Sequence, residues 1–306
     1  MQELEARFTA PNACLANLLC DAHDLDRAAF TVVNEDVSFA QMTYGELPER
    51  SERVAAGLAA FGVSTGDTVA TLMSKSPEYL ATVVGILRLG AAHLPPFTAF
   101  APPAIAMRLE GSRAKVVVTD SSQRAKLGGG SGETPSSQVV HFRCTGAALV
   151  PGDDDLISKS HATVPAVTVG GHGTMTRMYT WGTTGRPQGV APVAAMATWQ
   201  LYLDFGLHVT DDDIFWCVAD PGWAYGLFSA VLAPMAAGRT SILQVDKFSA
   251  EASWRILHDL NVTNVTAARN PYSESTYTTT TGRQNSEWWF ATITTRSCSD
   301  HSSPAR

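Results

Sequence analysis

Thr68-Val69-Ala70-Thr71-Leu72-Met73-Ser74-Lys75-Ser76-Pro77-Glu78-Tyr79-Leu80 is the stretch that decides the fold. Its first six residues read as a short buried strand. Ser76-Pro77-Glu78 then opens a helix: a capping hydroxyl, proline at the first helical position and an acid in the first turn. Leu80, Val83, Val84 and Leu87 follow on one helical face, and Gly90 ends the run. A strand that passes directly into a helix of this length is half of a βαβ unit.

The pattern repeats on both sides. Upstream, Leu47, Val54, Leu58 and Phe61 share a helical face and Gly62 supplies the stop. Downstream, a helix around Ile105 to Leu109 leads into the strand Lys115-Val116-Val117-Val118-Thr119. Asp213 to Val218 is a further buried-strand candidate, and Asn261 to Ala268 reads as another α/β element. Alternating helix and strand predicts an α/β fold built on largely parallel sheets flanked by helices.

Composition sets the class. The chain has 306 residues, 45% hydrophobic and 17% charged, with a net charge of −7. This is globular composition, and the acidic balance argues against nucleic acid or an anionic membrane as the main partner. No apolar run reaches the length of a membrane span. The first residues carry acids and lack an apolar core, so no secretory signal is expected. Cys14, Cys20, Cys144, Cys217 and Cys298 are scattered without C-x-x-C spacing. They fit reduced thiols of a cytoplasmic protein. The acidic triplets at 153–155 and 211–213 stand beside turns without companion ligands, so no metal site is expected. His172, in a Gly-rich loop, reads as structural.

Chemistry concentrates in Tyr179-Thr180-Trp181-Gly182-Thr183-Thr184-Gly185-Arg186-Pro187-Gln188-Gly189-Val190. Glycines let the backbone approach a ligand closely, and converging N–H groups with threonine hydroxyls can hold an anion. The phosphate-loop NTPase pattern is excluded, because Pro187 and Gln188 stand where it needs Gly and Lys. No G-x-G-x-x-G follows a strand, so a dinucleotide fingerprint is missing too.

This loop resembles the signature Y-T-S-G-T-T-G-x-P-K-G-V of the adenylate-forming superfamily, the acyl-CoA synthetases and AMP-dependent ligases. Ten of its twelve positions follow that pattern; Trp181 and Gln188 depart from it, where the family has Ser or Thr and Lys. The N-terminal half is similar to the same family through Thr43-Tyr44-Gly45-Glu46-Leu47, Gly62-Val63, Gly66-Asp67 and Ser76-Pro77-Glu78-Tyr79. Ala219-Asp220-Pro221-Gly222-Trp223-Ala224-Tyr225-Gly226 and Pro96-Phe97-Thr98-Ala99-Phe100 look like stretches of its acetyl- and medium-chain carboxylate–CoA ligases.

The resemblance implies a two-step reaction. A short- or medium-chain carboxylate attacks Mg2+-ATP to give acyl-AMP and pyrophosphate, and CoA then displaces AMP. Thr180, Gly182, Thr183, Thr184, Gly185, Arg186, Gln188 and Gly189 would hold the ATP phosphates. Trp223, Tyr225 and Gly226 would border the acyl pocket. The alternatives are a non-catalytic nucleotide or acyl binder, a pseudoenzyme, and an aryl- or amino-acid-adenylating enzyme; the Asp-Pro-Gly-Trp stretch opposes the last.

The resemblance covers about residues 25–268. It implies an incomplete N-terminal ligase domain over 1–268, with the small C-terminal domain and its catalytic motifs absent and activity impaired or lost. Residues 269–306 change character: 15 of these 38 residues are Ser or Thr, without apolar periodicity. They are expected to be a disordered segment foreign to the family, and the Gly/Ser-rich 128–137 a linker.

Overall fold

The computed structural model describes residues 1–34, 36–128, 138–141, 154–156, 164–179, 189–245, 249–268 and 290–294. Among the described residues thirteen strands run in chain order: β1 Ala28–Val33, β2 Phe39–Thr43, β3 Thr68–Leu72, β4 Ala92–Leu94, β5 Ala114–Thr119, β6 Gln138–His141 and β7 Asp154–Asp155. They continue with β8 Thr174–Met178, β9 Gly189–Pro192, β10 Phe215–Cys217, β11 Ser241–Gln244, β12 Asn264–Ala268 and β13 Phe290–Thr294. The α-helices are α1 Gln2–Thr9, α2 Glu46–Ala60, α3 Pro77–Arg88, α4 Pro102–Ser112, α5 Ala195–Leu201, α6 Ala224–Gly226, α7 Ala233–Ala237 and α8 Ala250–Asp259.

The strands form two sheets, ordered β7-β6-β5-β3-β4-β8-β9 and β13-β12-β10-β11-β1-β2. Interior pairings are parallel, and the antiparallel partners β9, β2 and β13 stand at the edges. Both faces of such sheets must be covered, and every residue of β3 is buried. The largest core lies between the sheets. There Val69, Val116 and Val118 from one sheet and Phe30, Val32 and Phe215 from the other enclose side chains of α2, α3, α5 and α7. Smaller cores cover the outer faces. Ile105 and Leu109 of α4 pack on Ala70, Leu72 and Val117, and Ile256 of α8 packs on Val33, Trp216 and Ile242. The result is a layered α/β fold of parallel-dominated sheets, as the alternation predicts.

Local signals act where the sequence puts them. The Ser76 Oγ accepts the Tyr79 N–H at 3.1 Å, and Pro77 begins α3. Gly62 and Gly90 take φ of +80° and +68° past the ends of α2 and α3, where a side chain would be strained. At Gly85 a Cβ would lie 2.6 Å from Val54 Cγ1, so glycine sets the close approach of α3 to α2. Arg88, at the end of α3 and 2% exposed, donates to both carboxylate oxygens of Asp21 at 2.9 and 2.6 Å and to Ser51. A buried guanidinium needs this degree of pairing.

Two differences from the sequence reading stand out. The fourth helix is longer than the periodicity indicates, because Pro102 starts it and Arg113, at φ +52°, ends it. Within the Ser/Thr-rich tail, Phe290–Thr294 pairs antiparallel with β12 as a strand. Backbone pairing to an open sheet edge needs no apolar periodicity, so that signal was lacking. Residues 129–137 of the Gly/Ser-rich segment lie outside the described residues.

Candidate functional site

Segments just beyond the carboxyl ends of β3 and β4 in one sheet and β10 in the other meet, and such strand ends are where α/β sheets bind ligands. From the first sheet come Lys75 beyond β3, Phe97 and Phe100 beyond β4, and Tyr179 at the end of β8. From the second come Asp220 and Trp223 beyond β10, and Thr266 of β12.

Phe97, Phe100 and Trp223 form one aromatic cluster. The Trp223 ring centroid lies 5.3 Å from Phe97 and 5.7 Å from Phe100, and the two phenylalanines meet edge to face at 5.5 Å. Trp223 remains 41% exposed, so it offers an open apolar face. The Arg108 guanidinium stacks over Phe100 at 4.1 Å from its centroid. Two stretches far apart in sequence thus build one wall.

The Asp-Pro-Gly turn fixes Trp223 against that wall. Gly222 N–H donates to Asp220 Oδ1 at 2.8 Å, and Trp223 N–H donates to the Asp220 carbonyl at 3.0 Å. A Cβ on Gly222 would stand 2.6 Å from Phe97 Cα. Gly226 is buried, and a Cβ there would run into the Asp220 carbonyl oxygen. Both glycines let backbone segments touch where any side chain would hold them apart.

Tyr225, two residues after Trp223, packs against the main core. Its hydroxyl is 2.6 Å from Thr266 Oγ1, and its ring meets Trp199 and Tyr202 edge-on at 6.5 and 6.3 Å. Burial raises the phenol pKa above its ordinary value, against the Thr266 hydrogen bond, which favours ionisation. Tyr225 is therefore a neutral, half-buried hydrogen-bonding group.

The strands that frame the glycine loop are present. Met178 of β8 pairs with Gly189 of β9, so both ends of the intervening segment are anchored side by side. Thr180, Trp181, Gly182, Thr183, Thr184, Gly185, Arg186 and Gln188 lie outside the described residues. Of the predicted phosphate-binding set only Gly189 is described. Tyr179 packs its hydroxyl against α4, where a Cβ on Gly111 would be 2.7 Å away, and burial pushes its pKa up. β4, the neighbour of β8, is joined to β3 by a buried polar contact. His93 of β4, paired in register with Thr176 of β8, has Nε2 2.8 Å from Thr71 Oγ1 of β3. His172 is exposed in the turn before β8.

Several of the triplet aspartates are engaged within the fold. Asp213 accepts from the N–H and Oγ1 of Thr210 at 2.7 and 2.8 Å and from Thr263. Asp211 faces Arg27 and Arg239, and Asp154–Asp155 pairs with β6. Sequence reasoning quoted Phe97 and Phe100 but gave them no role; it missed Lys75, Arg108 and Thr266. Lys75 and Thr266 carry no motif of their own, and only the sheet arrangement brings them to the site.

Residues 20–269 match the AMP-binding enzyme family. The chain belongs to that family. Within this AMP-binding family it is similar to acetyl-coenzyme A synthetases, 30% identical over 262 residues to that of Ralstonia nicotianae and 31% over 235 residues to that of Bacillus subtilis. These matches cover 78% and 72% of this chain and 39% of each relative, so the chain spans about two-fifths of their length. The crystal structure of Brucella canis acyl-CoA synthetase superposes with a TM-score of 0.79 and 33% identity, covering 86% of this chain and 49% of that one. The chain therefore stands in the acyl-CoA synthetase branch of the adenylate-forming enzymes, with the N-terminal part of that fold. No helix among the described residues is long and apolar enough to cross a membrane.

Proposed function

We propose that this chain binds ATP and a short- or medium-chain carboxylate, and is the N-terminal part of a ligase that joins the acid to AMP and then to CoA. The observation that carries the proposal is the aromatic wall of Phe97, Phe100 and Trp223 beyond the strand ends, in a chain whose β8 and β9 frame the glycine loop. An apolar wall suits the alkyl part of an acid. The loop suits phosphate, with Thr183 and Thr184 as hydroxyl donors, Gly182, Gly185 and Gly189 permitting close approach, and Mg2+ entering with ATP. Catalysis in such a reaction is chiefly positioning and charge stabilisation at the phosphates. In this proposal the ligase domain spans residues 1–268, and Phe290–Thr294 adds an edge strand to its second sheet.

Gln188 favours a second outcome. A charged hydrogen bond to phosphate contributes about 1.5–3 kcal/mol and a neutral one about half that. A glutamine there suits binding without turnover. Carboxylate-dependent ATP–pyrophosphate exchange, run over acids of two to eight carbons beside calorimetric ATP titration, separates the outcomes. Exchange supports the ligase, and ATP binding without exchange supports the pseudoenzyme. Absence of both overturns the nucleotide assignment.

A further inference from the structure

Lys75 and Asp220 form an ion pair that joins the two sheets across the candidate site, with Nζ 3.9 Å from Oδ2. Lys75 belongs to the β3–α3 connection of one sheet and Asp220 to the turn after β10 of the other. Both side chains are mostly shielded, 17% and 27% exposed. The lysine backbone is fixed from both sides. The Ser74 N–H donates to Asp120 Oδ2 at 2.6 Å, and Ser76 caps α3 through the Tyr79 N–H. Asp220 divides its carboxylate: Oδ1 accepts the Gly222 N–H inside the turn, and Oδ2 faces Lys75. The same turn presents Trp223 to Phe97 and Phe100.

We propose that Lys75 is a positioning residue for the acyl wall: it holds the Asp220–Trp223 turn of one sheet against the Phe97–Phe100 loop of the other, and so sets the width of the carboxylate pocket. Lys75 acts through Asp220 and touches no substrate. An anchored pair of this kind loses little side-chain entropy on forming, whereas a free surface pair would lose more. The inference rests on the ligase or binder proposal for what occupies the pocket, but the latch itself is testable without any ligand.

The test is hydrogen exchange by mass spectrometry on the whole chain, comparing Lys75→Met, Lys75→Arg, Asp220→Asn and the Lys75→Met/Asp220→Asn double variant. Methionine keeps the alkyl stem and removes the charge. Exchange at the 222–224 amides is expected to quicken about threefold to fivefold in Lys75→Met, in keeping with a partly shielded ion pair. β3 and β10 amides should stay unchanged, arginine should restore the wild-type rate, and the double variant should exchange no faster than Asp220→Asn alone. Unchanged exchange at 222–224 in Lys75→Met, or equal quickening throughout the chain, overturns the latch. Carboxylate titration of the same proteins adds a second readout: Lys75→Met should weaken longer and shorter acids unequally. An equal effect on all acids overturns the pocket-width role even if the exchange result holds. If wild type binds no carboxylate at all, the functional proposal fails, and the exchange data still decide on the latch.

Discussion

Trp223 packs its indole 5.3 Å from the ring of Phe97, across the gap between two sheets, while keeping 41% of its surface open. An exposed aromatic held in place on one side is suited to contact a ligand on the other. Trp223→Ala should therefore cost little stability, less than about 1.5 kcal/mol for the lost ring contacts. It should raise the carboxylate concentration for half-saturation about tenfold, equivalent to a lost apolar contact. Urea unfolding and carboxylate titration measure the two effects. Trp254→Ala, on the outer helix α8 and 64% exposed, is the control expected to change neither.

Gly226 lies so close to the Asp220 carbonyl that no Cβ fits. Gly226→Ala must displace either the turn or the helix beneath it. Overpacking of this kind costs about 1–3 kcal/mol. A lowered urea midpoint at unchanged slope is the expected result, and a midpoint equal to wild type would contradict the packing described.

His93 gives a pH dependence. Burial lowers its pKa from 6.5 to about 3, so the folded chain keeps the imidazole neutral. The unfolded chain takes up a proton near 6.5. The contribution to stability is thus intact above that pH and falls as the pH drops toward 3. The slope within the window is about 1.4 kcal/mol per pH unit. Between pH 6 and 4 the stability of His93→Gln, from urea titrations at each pH, should fall less steeply than wild type by about that amount. Parallel curves would show that His93 does not titrate as its burial requires.

Gln188→Lys restores the charge that the family signature carries. Nucleotide affinity, measured by calorimetric ATP titration, should rise about tenfold, the difference between a neutral and a charged hydrogen bond to phosphate. No gain in affinity would mean that residue 188 does not face the nucleotide.

The strand–helix alternation, the Ser76 cap, the stops at Gly62 and Gly90 and the glycine loop were all legible because each is a local matter. Hydrophobic periodicity, a capping hydroxyl and positive φ operate within a few residues, and a contiguous signature survives as a string of letters. Trp223 and Tyr225 could be singled out for the same reason. Their expected place at the acyl pocket came from the resemblance alone, since an isolated aromatic in a sequence reads equally as core or as surface. β13 escaped notice because its pairing with β12 is a backbone matter.

The sequence by itself determined the α/β class, the order of its elements and the family, since these follow from local chemistry along the chain. Only the tertiary structure decided that Phe97 and Phe100 meet Trp223, that Lys75 reaches Asp220, and that His93 bonds Thr71 within its sheet. Those contacts depend on strand order and on where segments of the two sheets meet. Strand order is set by the burial of whole faces, a global free-energy balance that no short stretch of residues carries.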